Sequence, residues 1–454
     1  MKRKRSASSA IFLIILLSLI AIGLYLYNSK LFERDLPVVE VEKEIYWNFK
    51  DGLKVTIKDE SGIKYYTVVL STPTQEHILK REILNDPKKE INLDIKFAKA
   101  RTLLNDKEAT LKIYAVDSSR WNFFAGNEVH ASSKIIIDKK RPQLSVVTNS
   151  YGIRRGGSAL VIAKVADENL EDFYIDTGSD KKFLLQPFYR EGYFIALVAW
   201  PITANKFRAT LTALDKAGNR SRAPINFTFK DKNYKTSKIA LKSSFIEGKV
   251  TNLALEHNSE DIENPIERFK YVNETLRQKN EELIHSIGSK ISNERIDDFK
   301  LKPFYPLKNG AAVASFGDHR KYTKDGNEVS ESYHLGLDLA SVKMATIVTQ
   351  NDAEVIYAAE NGIYGTMLML DFGLGLTAVY GHCTNLLVDV GMKVQAGTQI
   401  ANTGMTGLAL GDHLHFGTLV QGVEVRPEEW MDTQWFKLNV TNVINDAKKI
   451  IIRQ

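Results

Sequence analysis

The segment 413-HLHFG-417 sets two imidazoles one residue apart, with apolar residues between and after them. On a strand, alternate side chains share a face. His413 and His415 then point one way, and Leu414 and Phe416 the other. That pattern suits a site on the surface of a sheet whose back lies on a core. An H-x-H pair alone is a weak signal and needs an answering group. The segment 334-HLGLDLA-340 supplies one. His334, Gly336, Asp338 and Ala340 fall on one face of a predicted strand, and Leu335, Leu337 and Leu339 on the other. A helix would also bring positions i and i+4 together, but strict alternation around a central glycine argues for the strand. A metal could then bridge the histidine and the aspartate. In 377-TAVYGHC-383, His382 ends another alternating strand.

The chain has 454 residues, enough for about three domains of ordinary size. With 44% hydrophobic and 26% charged residues it has a globular composition. The net charge of +6 is spread out, with no basic stripe interleaved with aromatics, so no nucleic-acid partner is expected. The single cysteine, Cys383, excludes an intramolecular disulfide and a Cys-rich structural zinc site. On its strand it should face away from His382 as a small buried hydrophobe.

MKRKR precedes the uncharged run 10-AIFLIILLSLIAIGLYLY-27, which can nearly span a hydrocarbon core. A cleaved signal peptide usually has a shorter apolar region and a small-x-small site. Here the run ends in Tyr25-Leu26-Tyr27-Asn28-Ser29-Lys30, and the tyrosines suit an interfacial belt. An uncleaved anchor in the lipid bilayer through residues 10–27 is expected. Lys2, Arg3, Lys4 and Arg5 then stay inside, which puts the rest outside the inner membrane.

Residues 38–230 read as strands with turn signals. The stretch 109-ATLKIYAVD-117 is echoed by 209-ATLTALD-215, about one hundred residues later. This predicts two tandem β-sandwich domains, 38–140 and 141–232. The segment 211-LTALDKAGNRS-221 resembles the turn of bacterial immunoglobulin-like repeats. These domains are expected to be spacers, or docking modules for cell-wall synthesis or hydrolase partners. Trp121, Phe123 and Phe124 form a loop that could touch a partner, with core packing as the favoured reading. Residues 240–300 read as a helical linker. Asn264-Pro265 looks like an N-cap with proline at the first helical position. An apolar row follows at Ile266, Phe269, Val272, Leu276, Leu283 and Ile287. The bland reading is a connector; the functional one is an arm that packs on the next domain and controls access.

From 303 to 437 the chain is glycine-rich and strand-like, with a tail over 438–454. Here H-x-x-x-D, then Y-G-H, then T-G with H-L-H-F resembles the LytM/lysostaphin-type zinc metallopeptidases, which cleave peptidoglycan peptides. Gly317 with Arg320 in 314-ASFGDHRKY-322 and the run 402-NTGMTG-407 match as well. The resemblance covers residues 303–430. It implies a small, mostly antiparallel β domain with a groove over the sheet. It implies one zinc per catalytic domain, held by His334, Asp338 and His415, with His382 and His413 as catalytic histidines. Two nitrogens, one carboxylate oxygen and an open position form the pattern of a catalytic zinc, although manganese or cobalt also suit it. There is no H-E-x-x-H glutamate, and imidazoles suit the proton-transfer work. The approach 406-TGLALGDHLHFG-417 spaces its threonine and glycine differently from the family, which reshapes the groove wall and removes no ligand. Tyr380 is read as strand packing, Tyr333 and His319 as neighbours of the motif. His77, His130, His257 and His285 lie outside it.

The expected architecture is mainly β: a transmembrane anchor over 1–30, two β-sandwich domains, a helical linker and a LytM-like peptidase domain. The expected activity is hydrolysis of peptide stems or cross-links of peptidoglycan, with D-alanyl–diaminopimelate cross-links as the analogy suggests. The alternative is a non-enzymatic LytM-like activator or scaffold for a cell-wall amidase.

Overall fold

The structure, a computed structural model, describes residues 7–97, 106–230, 232–257 and 262–453. Strands dominate it, and the chain divides into two compact units. The first is residues 1–142 with 169–171 and 214–220. It begins with the helix Ala7–Asn28, of which Ala10–Asn28 is long and apolar enough to cross a membrane. Six strands then form one continuous hydrogen-bonded sheet. Its longest pairing joins Leu53–Ser71 to Glu76–Ile95. Alternation buries Val55, Ile57, Val68 and Leu70 against Leu111, Ile113 and Ile135. Trp121, Phe123 and Phe124 lie outside this core and are exposed. The core assignment fails because these residues lie in the connection between the strands Glu108–Asp117 and Glu128–Ile137, and the sheet's hydrophobic core forms without them.

The second unit holds residues 143–168, 172–213 and 221–454. Two four-stranded sheets open it. Its largest sheet has eight strands, all paired antiparallel. Leu414–Val420 lies near the middle, between Leu337–Ala340 and Leu376–Gly381. One face turns Phe416 onto Tyr380 and Phe304, with ring centroids 5.4 and 5.7 Å away. The other carries His415 at one end and Leu419 at the other.

The helical segment 265–288 covers the Leu419 end of that second face. Phe269, Val272, Leu276 and Ile284 pack there with Met367, Met369, Val379 and Leu419. Asn264 caps the helix as its sequence predicts, accepting from the Ile266 and Glu267 amides at 2.8 and 3.3 Å. The expected apolar row holds through Leu276 and slips at Leu283, while Ile287 still packs against the core. Ile284 is buried while Leu283 is exposed. Residues Tyr271–Leu276 form a wide i→i+5 turn. Such a turn takes up an extra residue and rotates everything after it, so the buried row advances by one position. Polar ties reinforce the packing. Asn280 accepts the Ile363 amide at 2.9 Å, and Asn273 donates to the Ser330 hydroxyl at 2.8 Å.

The residues after 438 also pack within this unit. Asn442–Arg453 is a helix that buries Val443, Ile444, Ala447 and Ile451. Thr148 and Ser150 donate to the carbonyls of Val443 and Asn439, at 3.1 and 2.7 Å. Gln421, at the turn after Leu414–Val420, exchanges hydrogen bonds of 2.8 and 2.9 Å with the Leu184 backbone. The smaller β layers and the eight-stranded sheet are therefore tied together.

Two outcomes follow from the helix contact. In denaturant titration Ile284→Ala should cost about 2–5 kcal/mol and Leu283→Ala under about 1 kcal/mol. Equal losses would mean that the wide turn does not reset the row. Glu281 sits in the same contact, 3.7 Å from Arg277. Burial pushes its carboxyl up from the ordinary 4.5 to about 7, against the opposing guanidinium. The folded state thus holds this proton more tightly than the unfolded chain. Its contribution to stability is complete below about pH 4.5 and is lost as pH rises through about 7. Glu281→Gln should flatten the fall in Tm across that window; an unchanged slope would assign the fall to other groups.

Candidate metal centre and active-site groove

The strand Leu414–Val420 fixes the centre of the site. Its register sets His415 opposite Asp338 on one side and Gly381 on the other. Leu337 and Leu339 are buried on the underside while Asp338 faces up, so alternation aims the carboxylate at the imidazole. His334 arrives differently from the sequence expectation. The expected single strand 334–340 is broken: Asn327–Tyr333 ends before His334, and the next strand is Leu337–Ala340. Its amide bonds to the Asp318 carbonyl at 3.0 Å, outside any strand ladder. The break turns His334 back over Asp338.

The three side chains meet closely. His334 Nε2 is 2.9 Å from Asp338 Oδ1 and 3.2 Å from His415 Nδ1, and that Nδ1 is 2.9 Å from the same carboxylate oxygen. All three are buried. His334 Nδ1 lies 2.9 Å from the Ser315 carbonyl. Donating a proton there leaves the Nε2 lone pair facing the cluster, the outer-shell arrangement usual for a metal-bound histidine. The donor set and its convergence thus fit a divalent ion. Gly336 is required by space: a Cβ there would come within 2.5 Å of the His415 ring.

His382 and His413 stand beside the cluster. Their rings are 4.8 Å apart, and the His382 ring is 5.9 Å from that of His415. His382 adopts φ 63°, with its amide bonded to the Tyr364 carbonyl at 2.8 Å and its Nδ1 2.9 Å from the Thr406 carbonyl. His413 Nδ1 is 2.7 Å from the Gly411 carbonyl, and its Nε2 is 3.8 Å from Asp338 Oδ1. Both rings therefore turn Nε2 inwards. All five sequence-selected residues line one cavity of about 850 Å³.

Burial pushes the His382 imidazole down to about 3, helped by the His415 and His413 neighbours, so it is unprotonated at neutral pH. Burial also lowers His415, against the opposing Asp338 charge. For Asp338 burial acts upwards, but the hydrogen bonds and charges of His334 and His415 outweigh it and hold the carboxyl well below the usual range. Arg320 Nη2 lies 3.7 Å from the other Asp338 oxygen.

The secondary candidates separate cleanly. Tyr380 is fully buried on the underside, as packing. Cys383 is buried, and burial pushes its thiol up to about 12. Tyr333 stacks on His319 at 4.5 Å, outside the cavity lining. His285, read as ordinary, is 2.5 Å from Glu424. The sequence reading offered residues 240–300 as an access-controlling arm in one of two alternatives, and it missed the strand that opens this groove wall. The strand Thr236–Ala240 pairs in parallel with His319–Lys324, and Ile239, Leu241, Phe245 and Phe269 border the cavity. It also missed Tyr364, whose ring lies 5.3 Å from that of His415. No local period marks the strand Thr236–Ala240 or Tyr364 as part of the site.

Residues 332–427 match the model of Peptidase family M23. The C-terminal part of the chain is a LytM-type M23 peptidase domain. Over 125 residues the chain is 32% identical to an uncharacterized metalloprotease of Haemophilus influenzae, covering 27% of this chain and 26% of that protein. It is 28% identical over 118 residues to the peptidoglycan DD-endopeptidase ShyA of Vibrio cholerae, covering 26% and 27%. It is 35% identical over 80 residues to the murein hydrolase activator EnvC of Escherichia coli, covering 18% and 19%. The similarity spans about a quarter or less of the length of these relatives.

Gly336→Ala should push the His415 ring aside and separate the three donors. Divalent-ion titration is expected to give a large loss of affinity with the fold retained by circular dichroism. Unchanged affinity would mean that the ring has room to move.

Proposed function

We propose that the protein is a membrane-anchored, zinc-dependent endopeptidase that hydrolyses peptide stems or cross-links of peptidoglycan. D-alanyl–diaminopimelate cross-links are the proposed target, in cell-wall remodelling. The observation that carries the reading is the convergence of all five groups, His334, Asp338, His382, His413 and His415, in one groove. His334, Asp338 and His415 would hold the ion. Bound zinc supplies a lowered water pKa and a polarised scissile carbonyl. His382, an unprotonated imidazole anchored through the Thr406 carbonyl, is placed to accept a proton at Nε2. His413, fixed by the Gly411 carbonyl, faces the same space and is placed to donate to a developing oxyanion or leaving amine. Arg320 offsets the Asp338 charge.

The helix Ala7–Asn28 is proposed to anchor the chain in the inner membrane, with the β layers as spacers on the outer side. The segment 240–300 is proposed as a wall of the groove that restricts what can enter. Similarity to EnvC favours a second reading, a non-enzymatic activator of a cell-wall amidase. The complete donor set supports the hydrolase.

Purified cell wall incubated with the full chain and analysed by mass spectrometry should lose cross-linked dimers and gain peptide-cleaved products. Wall left intact by the metal-loaded chain, together with stimulation of an amidase, would replace this reading with the activator. Single alanine variants divide the roles. His334→Ala, Asp338→Ala and His415→Ala should lose the ion. His382→Ala and His413→Ala should keep it and lose about 10²–10⁴-fold in activity. Release of zinc from His413→Ala as readily as from His415→Ala would overturn the division.

A further inference from the structure

The exposed aromatic turn of the first unit adjoins the end of the apolar helix. Trp121, Phe123 and Phe124 are 41%, 98% and 70% exposed. Aromatic residues at such exposure on neighbouring positions call for an explanation that a solitary exposed residue does not. Asn122, Phe123 and Phe124 have φ of 50°, 54° and 70°. Bulky side chains are unusual in that left-handed region. Neither phenylalanine belongs to the hydrophobic core of the sheet.

The root of the turn is fixed to the chain just after the helix. The Arg120 amide donates to the Leu31 carbonyl at 2.7 Å, and the Ser119 hydroxyl to the Glu33 carbonyl at 2.6 Å. Leu31 is three residues past the helix end at Asn28, a reach of at most about 10 Å. The Arg34 guanidinium lies 4.5 Å from the ring centre of Tyr27 and 4.4 Å from that of Trp121. It joins the last turn of the helix to the aromatic turn. Trp121 therefore stands close to the level of Tyr25 and Tyr27, the aromatic belt read from the sequence.

The turn also satisfies much of its own backbone. Phe124, Ala125 and Gly126 amides bond to the carbonyls of Arg120, Asn122 and Trp121, at 3.3, 3.0 and 3.3 Å. Lys64 donates to the Ala125 carbonyl at 2.6 Å. Internal pairing lowers the cost of moving backbone into a less aqueous layer. Lys30, Arg34 and Arg120 lie in the connected segments beside Glu33 and Asp35, so charge there is nearly balanced and the aromatic side chains carry the contact.

We propose that the turn 120–125 is a second membrane contact. Trp121, Phe123 and Phe124 enter the headgroup layer of the leaflet from which the helix emerges. The inference rests on the anchor reading and adds that the first β unit is held against the bilayer surface. It lets one helix fix the orientation of the unit as well as its attachment.

The test uses the full chain in lipid nanodiscs, with lipids brominated near the headgroup as fluorescence quenchers. Trp47, Trp200 and Trp430 are buried and Trp435 is half-buried, so subtracting the emission of Trp121→Phe isolates Trp121. The expected result is loss of most of the Trp121 emission in brominated discs, and recovery of that emission in a Phe123→Ser/Phe124→Ser variant. Trp121 emission insensitive to bromination, in a chain that stays with the discs, would overturn the second contact while leaving the anchor. A chain that does not stay with the discs would overturn the anchor reading itself, and the contact with it.

Discussion

The two-residue period of the strand Leu414–Val420 constrains the whole second unit. Leu414 and Phe416 must go into the core beneath the sheet, so His415 and Leu419 share the opposite face. Leu419 needs apolar cover, and His415 converges with His334 and Asp338 in an open cavity. The structure meets both demands on one face. Helix 265–288 covers the Leu419 end, and the His415 end opens into the groove. A one-residue slip of register would bury the imidazoles and expose Phe416. The in-register pairs Asp338 with His415 and Leu337 with Phe416 link the neighbouring strand to the same choice.

This arrangement changes how the upstream segment is understood. It belongs to the folding core of the peptidase part as well as to its approach. Phe269 meets Tyr322 edge to face, with ring centroids 5.0 Å apart, and also borders the cavity. Removing the segment would uncover Met367, Met369 and Val379 along with the groove. Any restraint that it exerts on substrate is therefore coupled to stability. The titration of Glu281 and the pairing of His285 with Glu424 lie at this same contact.

The site was legible in the sequence because its chemistry lies on short strands with strict alternation. His413, His415 and Asp338 took their faces from that pattern alone, and His382 was read at the end of an alternating strand. His334 joins Asp338 and His415 but stands on a different element from the one expected, since a strand break over residues 334–336 leaves the alternation of letters intact. The helix row was readable until the wide turn Tyr271–Leu276, after which a regular period picks Leu283 over Ile284. The strand in the groove wall was invisible for a different reason. The pairing of Thr236–Ala240 with His319–Lys324 is long-range, and neither segment carries a mark of the other. Trp121, Phe123 and Phe124 were misassigned because composition says that aromatics are apolar and says nothing of what layer remains to cover them.

The central claim is that one divalent ion sits between His334, Asp338 and His415, with His382 and His413 beside it. Anomalous diffraction at the zinc edge, from crystals of the zinc-loaded protein, addresses that claim directly. The account predicts a single peak per chain, bound by His334 Nε2, Asp338 Oδ1 and His415 Nδ1. A peak held instead by His382 and His413, or no peak at this cluster, would contradict it.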